Sequence, residues 1–535
     1  MLSRRRVLEL GVGAAAVTAG SLGWCGLARA QAPKRGGVLR IRGEDPLSFD
    51  PHQSLSARTT TNLSFTHSRL LKAEAGPGVT PGTIILEPDL AESWTQPSDT
   101  TYVFKLRPGV RWHPKPPVNG RELTAEDVKY TFERFTAVMY IAGIEKIETP
   151  DRYTVKFTLR EPFAWFPDVV ASTTAWIVAR EAVEKFGDLK RAESCIGTGP
   201  WMLDRHDPGV GLTFVRNPGY FLPGLSYADR VESTFEADPA TRFASWLAGA
   251  YDFAPEYGMV VRRLDLDLAR RRKPGLQTAE FTVRFGSIVW LKVNEAPFND
   301  IRVRKAMALA RSWQAALDAN AWALGHGVAN PAVPAAFKDW SIPIADLPPD
   351  GRALYEQNVA EAKRLLAEAG YPGGFKTTLE TTADFGPDWI DGVQVFLSQL
   401  KAVGIEVELK LKEFGAFLSS TVVGRFEHMA AGLSGFFAVP DSYLFLYYMP
   451  GLPTNAGGVN DPRLTDMIRL QRRTLNTNKR REIVYEIQRY LSQQSYYLYG
   501  PSVTAVSAWD RQVRNFAPNV GDDYGGRLML TWLDR

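Results

Sequence analysis

The sequence predicts an α/β protein with mixed sheets, organised in two or three domains. Its 535 residues exceed what a single hydrophobic core usually supports. Hydrophobic residues make up 45% and charged residues 23%, proportions that are typical of a soluble globular protein. Segments with the alternating pattern of strands and segments with the helical period follow one another along most of the chain, as in α/β folds.

The predicted strands are segments in which apolar and polar residues alternate. Turn dipeptides such as Asp45-Pro46 and Pro108-Gly109 separate the elements. The predicted strands span residues 37–42, 101–106, 110–113, 153–159, 287–293, 376–382 and 405–411.

The predicted helices combine an apolar stripe with start and stop residues. Thr124 and Asp127 have the spacing of a capping box, and Asp238-Pro239 pairs an N-cap with a proline at the first helical position. The predicted helices span 61–71, a segment from Thr124 onward, 238–249, a segment from 299 to 310, 358–368, 390–403, 462–475 and 479–495. The proline-rich region 335–350 is predicted to be a loop.

Residues 1–30 are expected to be a cleaved export signal. Three arginines at 4–6 precede an apolar run at 10–27, which ends in the small-residue site Ala28-Arg29-Ala30. The paired arginines resemble a twin-arginine signal, but Val7 stands where that pattern usually has phenylalanine, so the Sec route stays open. An uncleaved anchor is the alternative. We expect cleavage near Ala30 and a periplasmic location.

Charge and cysteine content exclude several kinds of protein. Without residues 1–30 the chain has 59 basic and 58 acidic residues, which gives no electrostatic basis for nucleic-acid binding. One cysteine, Cys195, then remains, so neither a disulfide within the monomer nor a cysteine-based metal site is expected. We expect a monomer without a metal or cofactor.

Catalytic motifs are not found in the sequence. The histidines form no close ligand pair such as H-E-x-x-H, and no phosphate-binding G-x-x-x-x-G-K-[ST] loop or G-x-S-x-G elbow occurs. A hydrolase with two distant carboxylates stays open, because sequence spacing does not reveal such a pair. We expect a protein that is not an enzyme, with a periplasmic hydrolase as the remote alternative.

The segment 429–460 has an unusual composition. It holds one charged residue, Asp441, where the overall charged fraction of 23% predicts about seven. Glycines and prolines exclude a continuous membrane-spanning helix. The segment is therefore an aromatic, loop-rich candidate for the wall of a ligand cleft, and an ordinary core strand followed by a surface loop is the alternative. Its aromatic residues are Phe436, Phe437, Tyr443, Phe445, Tyr447 and Tyr448.

Nine ordered motifs resemble one family, the cluster C extracytoplasmic solute-binding proteins of ABC importers, which include oligopeptide-, dipeptide- and nickel-binding members. The resemblance covers nearly the whole mature chain. The motifs are GGVLR at 36–40, DPLSFDPH at 45–52, PDLAESW at 88–94, FKLRPGV at 104–110, LTAEDV at 123–128, IGTGPW at 196–201, RNPGY at 216–220, PFNDIRVR at 297–304 and AEAKRLLAEAGY at 360–371.

This resemblance implies a type II periplasmic-binding-protein fold of two lobes that close over a ligand about a hinge, with an extra domain on the first lobe. The implied first-lobe core comprises residues 31–76, 196–285 and 506–535. The implied extra domain comprises residues 77–195, and the implied second lobe residues 286–505.

The resemblance also implies a ligand-binding wall. In peptide-binding members, a segment resembling G-W-x-x-D-x-x-D-P-D-x-F-L carries an aspartate that pairs with the free α-amino group of the ligand. When the end of this pattern is aligned with Pro440-Asp441-Ser442-Tyr443-Leu444, Phe436 takes the place of that aspartate and Asp441 is the last aspartate of the pattern. Asp384 is a candidate for a replacement charge. The candidate binding residues are Trp290, Asp384, Phe385, Ser434, Phe436, Phe437, Asp441 and Tyr443.

The expected partners are a soluble ligand and the permease subunits of an ABC importer. Peptides or peptide-like solutes are the first expectation for the ligand. Opine-like compounds, sugars or glycosides and metal chelates stay open, because the amine-binding aspartate is missing in this register. Binding of free nickel is not expected without a histidine cluster.

Overall fold

The strands pair into four larger sheets and two short strand pairs within residues 32–53, 56–81, 83–135, 143–284, 286–319, 327–328, 332–435, 439–518 and 523–535, which the computed structural model describes. The predicted residues 1–30 lie outside this part of the chain. Two of the larger sheets contain both parallel and antiparallel pairs, which confirms the predicted α/β class with mixed sheets.

Sheets I and II are built from the N-terminal half of the chain. The strands of sheet I alternate buried and partly exposed residues, with Leu39 and Ile41 inside. Sheet I orders its strands as Val38–Gly43, Arg230–Phe235, Gly211–Arg216 and Trp201–Asp207. Sheet II is antiparallel and orders its strands as Ala91–Ser98, Thr101–Leu106, Thr154–Leu159 and Ile144–Asp151.

Sheets III and IV are built from strands between residues 260 and 509. Sheet III orders its strands as Val260–Val261, Ser502–Trp509 and Gln277–Thr282, with Gly327–Val328 also paired to the middle strand. Sheet IV orders its strands as Ile405–Lys412, Phe375–Thr382, Met429–Leu433, Ser287–Leu291 and Tyr497–Tyr499. The short pairs join Leu71–Ala73 to Leu86–Pro88 and Val513–Arg514 to Trp532–Leu533.

Helices cover the sheets, and their N-caps follow the sequence. The Asp238 side chain accepts a hydrogen bond from the Thr241 amide at 2.7 Å, and Asp127 accepts one from the Thr124 amide at 2.9 Å. The α-helices of the described residues are Ala57–Leu63, Ala125–Arg134, Phe166–Val170, Arg180–Phe186, Pro239–Leu247, Arg263–Arg272, Ile301–Leu309, Trp313–Asp318, Pro349–Ala353, Val359–Glu368, Pro387–Ala402, Phe414–Ala416, Pro440–Tyr448, Pro462–Arg473, Thr477–Gln494 and Tyr524–Leu528. Shorter 3₁₀ or π turns occur at Ala192–Ser194, Ile344–Asp346 and Phe417–Thr421.

Sheet IV is covered on both faces. Val289 and Leu291 pack in one core with residues of helices Ile301–Leu309 and Val359–Glu368. Ile288 and Trp290 point to the opposite core, which contains Tyr443 and Tyr447. Within the segment 429–460, which we call the low-charge segment, helix Pro440–Tyr448 therefore packs on the face of sheet IV that carries Trp290.

Three secondary-structure predictions were wrong in part. The predicted helix 61–71 ends at Leu63, because Phe65 O and Thr66 O accept hydrogen bonds from Trp201 N and Gly199 N. The predicted strand 110–113 is reduced to one bridge between Arg111 and Glu122. The segment predicted to be loop-rich contains the helix Pro440–Tyr448.

Candidate functional site

Two crossings between sheets III and IV, one after strand Gln277–Thr282 and one after strand Tyr497–Tyr499, lie side by side. Val283 N donates a hydrogen bond to Val503 O at 3.0 Å, and Gly500 N donates one to Ser287 O at 2.7 Å. A side chain at position 500 has no room, because its Cβ would lie 1.8 Å from Ser287 Oγ. In a two-lobed binding protein, adjacent crossing segments of this kind form the hinge about which the lobes close.

Ser434 binds the first crossing directly. Gly286 N donates to Ser434 Oγ at 3.0 Å, and Ser434 N donates to Gly286 O at 2.8 Å. Ser434 is only 1% exposed. This predicted site residue therefore joins the end of strand Met429–Leu433 to the crossing.

Two tyrosines hold the next residue, Gly435. Its amide donates to the Tyr447 hydroxyl at 2.7 Å, and its carbonyl accepts from the Tyr443 hydroxyl at 2.6 Å. The Tyr443 hydroxyl also lies 3.1 Å from Arg284 O. Burial raises the pKa of Tyr447 far above its ordinary value, so its hydroxyl stays neutral. Arg284, Ser434, Gly435, Tyr443 and Tyr447 form what we call the crossing cluster.

Trp290 lies beside the crossing cluster but is enclosed. It is 1% exposed, and its ring makes an edge contact with Tyr447 at 6.3 Å between centroids. Gly432 permits this packing, since a Cβ there would lie 2.9 Å from Trp290 Cζ3 and 3.0 Å from Phe417 Cζ. Trp290 therefore packs over Gly432, two residues before Ser434, and is itself closed to solvent.

Phe385 packs next to Phe417, at the edge of the core that also contains Trp290, and Asp384 precedes it in the chain. The half-buried Phe385 makes edge contacts with Phe417 and Phe414, each at 5.8 Å between ring centroids. Asp384 is exposed, and its carboxylate accepts a hydrogen bond from Thr382 Oγ1 at 3.0 Å. A direct contact between Asp384 and the crossing cluster is not seen in the described residues.

Asp441 is buried against a second helix. Its carboxylate binds Arg472 Nη1 at 2.6 Å and also accepts a hydrogen bond from Gln471, both on helix Pro462–Arg473. Burial raises the pKa of Asp441, and the charge of Arg472 opposes that shift. Both of its oxygens are thus held by the protein itself. The predicted residues Phe436 and Phe437 lie outside the described residues.

Arg284 and Phe337, which lie near the crossings, were not predicted from the sequence, and Tyr447 was named only as an aromatic residue of the segment 429–460. The guanidinium of Arg284 lies 5.9 Å from the centre of the Phe337 ring. The signal in the sequence is a single basic residue between Val283 and Phe285, immediately before a strand. A buried charge in such a position is uncommon unless it has a partner.

Other buried titratable side chains are not members of the crossing cluster. Burial lowers the pKa of His67 to about 4 and that of His113 to about 3, and it raises the pKa of Cys195 to about 11. No group of three or more potential metal ligands occurs among the described residues. Within the same residues, no helix is long and apolar enough to span a membrane.

Comparison with known families identifies this arrangement. The model of the middle region of the bacterial extracellular solute-binding proteins, family 5, matches residues 86–452. The chain belongs to this family. The resemblance read from the nine sequence motifs is thereby confirmed, and solute binding outside the cytoplasm is what the family is named for.

Individual relatives agree with the family. Di/tripeptide-binding protein 1 of Pseudomonas aeruginosa is 28% identical over 490 residues, which cover 84% of this chain and 86% of the relative. The periplasmic binding protein DppA of Helicobacter pylori, solved with the peptide STSA, superimposes with a TM-score of 0.80 at 23% identity and covers 94% of this chain and 99% of its own. AgaA of A. tumefaciens R10, solved with agropinic acid, gives a TM-score of 0.79 at 23% identity with the same coverage. The fold is therefore the two-lobed periplasmic-binding-protein fold that the sequence predicts.

Proposed function

We propose that this chain is a periplasmic receptor that captures a peptide or peptide-like solute between two lobes and delivers it to the permease of an ABC importer. The observation that carries this proposal is the crossing cluster, a site built where the chain passes between sheets III and IV. A ligand bound there contacts both halves, so that closure about the crossings encloses it. Family membership supports the same role.

The proposed first-lobe core comprises residues 31–76, 196–285 and 506–535, with an extra domain at 77–195 and a second lobe at 286–505. The strand content of the sheets supports this division. Sheets I and II take all their strands from the first lobe and the extra domain, and sheet IV takes all of its strands from the second lobe. The strand Ser502–Trp509 of sheet III spans the last proposed boundary.

Contacts across the proposed cleft support a closed arrangement. Arg262 of the first lobe binds Asp388 of the second at 3.2 Å, and the Arg58 guanidinium lies 4.8 Å from the centre of the Phe414 ring. On the side of the extra domain, Trp165 Nε1 donates to Gln471 Oε1 at 2.9 Å. Affinity in such a receptor comes from contacts that exist only when the lobes are closed.

The proposed ligand is a peptide because related proteins are named for peptides, including the di/tripeptide-binding protein of P. aeruginosa. A second candidate, an opine-like or other non-peptide solute, is favoured by one specific observation. In the register read from the sequence, Phe436 stands where peptide receptors of the family place the aspartate that binds the ligand amine. A neutral ring gives no charge to pair with a free N-terminus.

We propose further that residues 1–30 direct export and are removed near Ala30, and that the mature protein acts as a monomer without catalysis. The N-terminal arginines and the small-residue site support export. Mass determination of the protein from the periplasm measures the cleavage point.

A thermal-shift panel of dipeptides, tripeptides, sugars, opines and metal chelates tests the proposed function. A true ligand must raise the melting temperature, because it binds the folded state and not the unfolded one. We expect stabilisation by peptides, and mass spectrometry of solute that co-purifies from the periplasm identifies the natural ligand. Stabilisation by opines or sugars alone would overturn the peptide assignment, and a flat response to every class would overturn the receptor role.

A further inference from the structure

Arg284 is a buried cation that has no counter-charge among the residues the structure describes. It is 8% exposed, and its Nε is enclosed without a hydrogen-bond partner. In the part of the chain that the structure describes, its guanidinium makes no ion pair or hydrogen bond, and it lies 5.9 Å from the centre of the Phe337 ring. A contact with an aromatic face only partly replaces the hydration that burial removes.

The other buried arginines show what this protein normally does with such a group. Arg304, for example, donates to the backbone carbonyls of Phe298, Asn299 and Gln494. Each of the remaining buried arginines donates to a carboxylate or a backbone carbonyl, and they are Arg69, Arg472, Arg480 and Arg527. Arg284 differs from all five, and it lies in a crossing rather than inside a lobe.

A charge in this position calls for an anion from outside. Arginine does not lose its proton in proteins, so the group cannot become neutral when buried. An unpaired buried charge is strongly unfavourable unless an opposite charge or hydrogen bonds compensate it. The one acidic residue of the neighbouring low-charge segment, Asp441, is already bound to Arg472. Among the described residues no compensating anion is left, so a ligand is the natural source of one.

We propose that Arg284 binds a carboxylate of the captured solute, so that the receptor selects anionic ligands. The planar guanidinium fork matches a carboxylate with two parallel hydrogen bonds. The hydroxyls of Tyr443 and Tyr447 are occupied by Gly435 and hold the wall beside Arg284 in place. This inference rests on the proposed function and adds the ligand's charge to it.

The test compares matched probes that differ in one carboxylate. Ala-Leu and Ala-Ala-Leu are each used with a free C-terminus and as the C-terminal amide, and Ala-Glu-amide supplies a side-chain carboxylate instead. Gluconate and glucose form a pair outside the peptides. Isothermal titration and thermal shift are measured on the wild type, Arg284→Leu, Arg284→Lys and the control Arg304→Leu.

We expect wild type to bind the carboxylate form about 10- to 100-fold more tightly than its amide, as for hydrogen bonds to charged groups. The ratio of the affinities for acid and amide should be close to one in Arg284→Leu. It should take an intermediate value in Arg284→Lys, because lysine keeps the charge but lacks the planar fork of two donors. Without ligand, Arg284→Leu should melt at the wild-type temperature or above, whereas Arg304→Leu should melt lower and keep the wild-type ratio. The stability comparison separates a binding arginine from a structural one.

The outcomes separate the two proposals. Peptides that bind equally well as acids and amides, or a ratio that survives in Arg284→Leu, would overturn the role of Arg284 and leave the peptide receptor standing. Gluconate binding that is lost in Arg284→Leu, without peptide binding, would support Arg284 and overturn the peptide assignment. Binding by no probe would overturn both.

Discussion

Arg472 and Asp441 form a buried ion pair with 2.6 Å between Nη1 and Oδ2, and the Arg472 guanidinium is stacked between Phe163 and Phe445. The distances from the guanidinium to the two ring centres are 4.2 and 3.7 Å. Phe163 belongs to the proposed extra domain, and Phe445 shares helix Pro440–Tyr448 with Asp441. One cation thus connects three segments of the chain.

Asp441→Ala should destabilise the protein by about 3–5 kcal/mol, because it leaves Arg472 buried without its counter-charge. Urea unfolding measures this loss. The control is Glu361→Ala in the exposed pair with Arg364, which should cost about 1 kcal/mol or less. If Asp441→Ala keeps its stability but loses solute binding, Asp441 serves the ligand and not the fold.

Gly432→Ala should destabilise the protein by about 1–3 kcal/mol through overpacking. The new Cβ would lie 2.9 Å from the buried Trp290 ring, which cannot move away freely. Because Gly432 lies two residues before Ser434, the shift should also weaken solute binding, which titration calorimetry measures.

Gly392→Ala provides the matched control for this substitution. Gly392 lies within helix Pro387–Ala402, with open space where its Cβ would be. Alanine there should stabilise the helix by about 0.5–1 kcal/mol. If Gly432→Ala and Gly392→Ala change the free energy of unfolding equally, crowding against Trp290 is not the cause of the effect at position 432.

Elements with clear local signals were predictable from the sequence. The helix Pro239–Leu247 begins after Asp238 as expected, and strand Ile405–Lys412 matches its alternating pattern. Helix Pro440–Tyr448 was missed because it is buried on nearly every side, so it lacks the polar face that reveals an amphipathic helix.

The candidate site was predictable only in part. Ser434 and Tyr443, which the sequence named as candidate residues of the ligand wall, both lie at the crossings, whereas Asp384 is exposed and makes no hydrogen bond to the crossing cluster among the described residues. Their role in binding stays a prediction. Arg284 could not be found this way, because a missing counter-charge depends on which distant residues the fold brings near. The same holds for the pairing of Asp441 with Arg472, which are 31 residues apart.

Arg262→Ala should shift the receptor toward the open form. The pair that Arg262 forms with Asp388 spans the proposed cleft and is partly exposed, so its loss should weaken solute binding about two- to five-fold. Calorimetry measures the affinity, and small-angle X-ray scattering measures the expected increase in the radius of gyration of the free protein. Lys376→Ala removes an exposed pair within sheet IV and should change neither quantity.

Phe436→Asp should create preference for a free N-terminus, if the family register of the low-charge segment is right. The new carboxylate would pair with an α-amino group, and peptides with a free N-terminus should then bind about 10-fold more tightly than their N-acetyl forms. Phe437→Asp is the matched control and should produce no such preference. A gain in the control instead would move the register by one residue.

Asp168 of the proposed extra domain, which feels the charge of Arg480 in the proposed second lobe, should make the free energy of unfolding depend on pH. Burial raises its pKa from 3.8 to about 7, and the charge of Arg480 opposes the shift. The folded state therefore keeps a proton that the unfolded state has lost, so the stabilising contribution is complete below about pH 4 and disappears as the pH rises through about 7. The free energy of unfolding of the wild type minus that of Asp168→Asn should decline across that range.

The exposed Asp151 provides the control of opposite sign. Its pKa is lowered mainly by the hydrogen bond from Thr154, so its stabilising contribution is lost as the pH falls. If wild type and Asp168→Asn show parallel pH profiles, the pKa of Asp168 is the same in the folded and unfolded states, and the charge of Arg480 fully offsets the effect of burial.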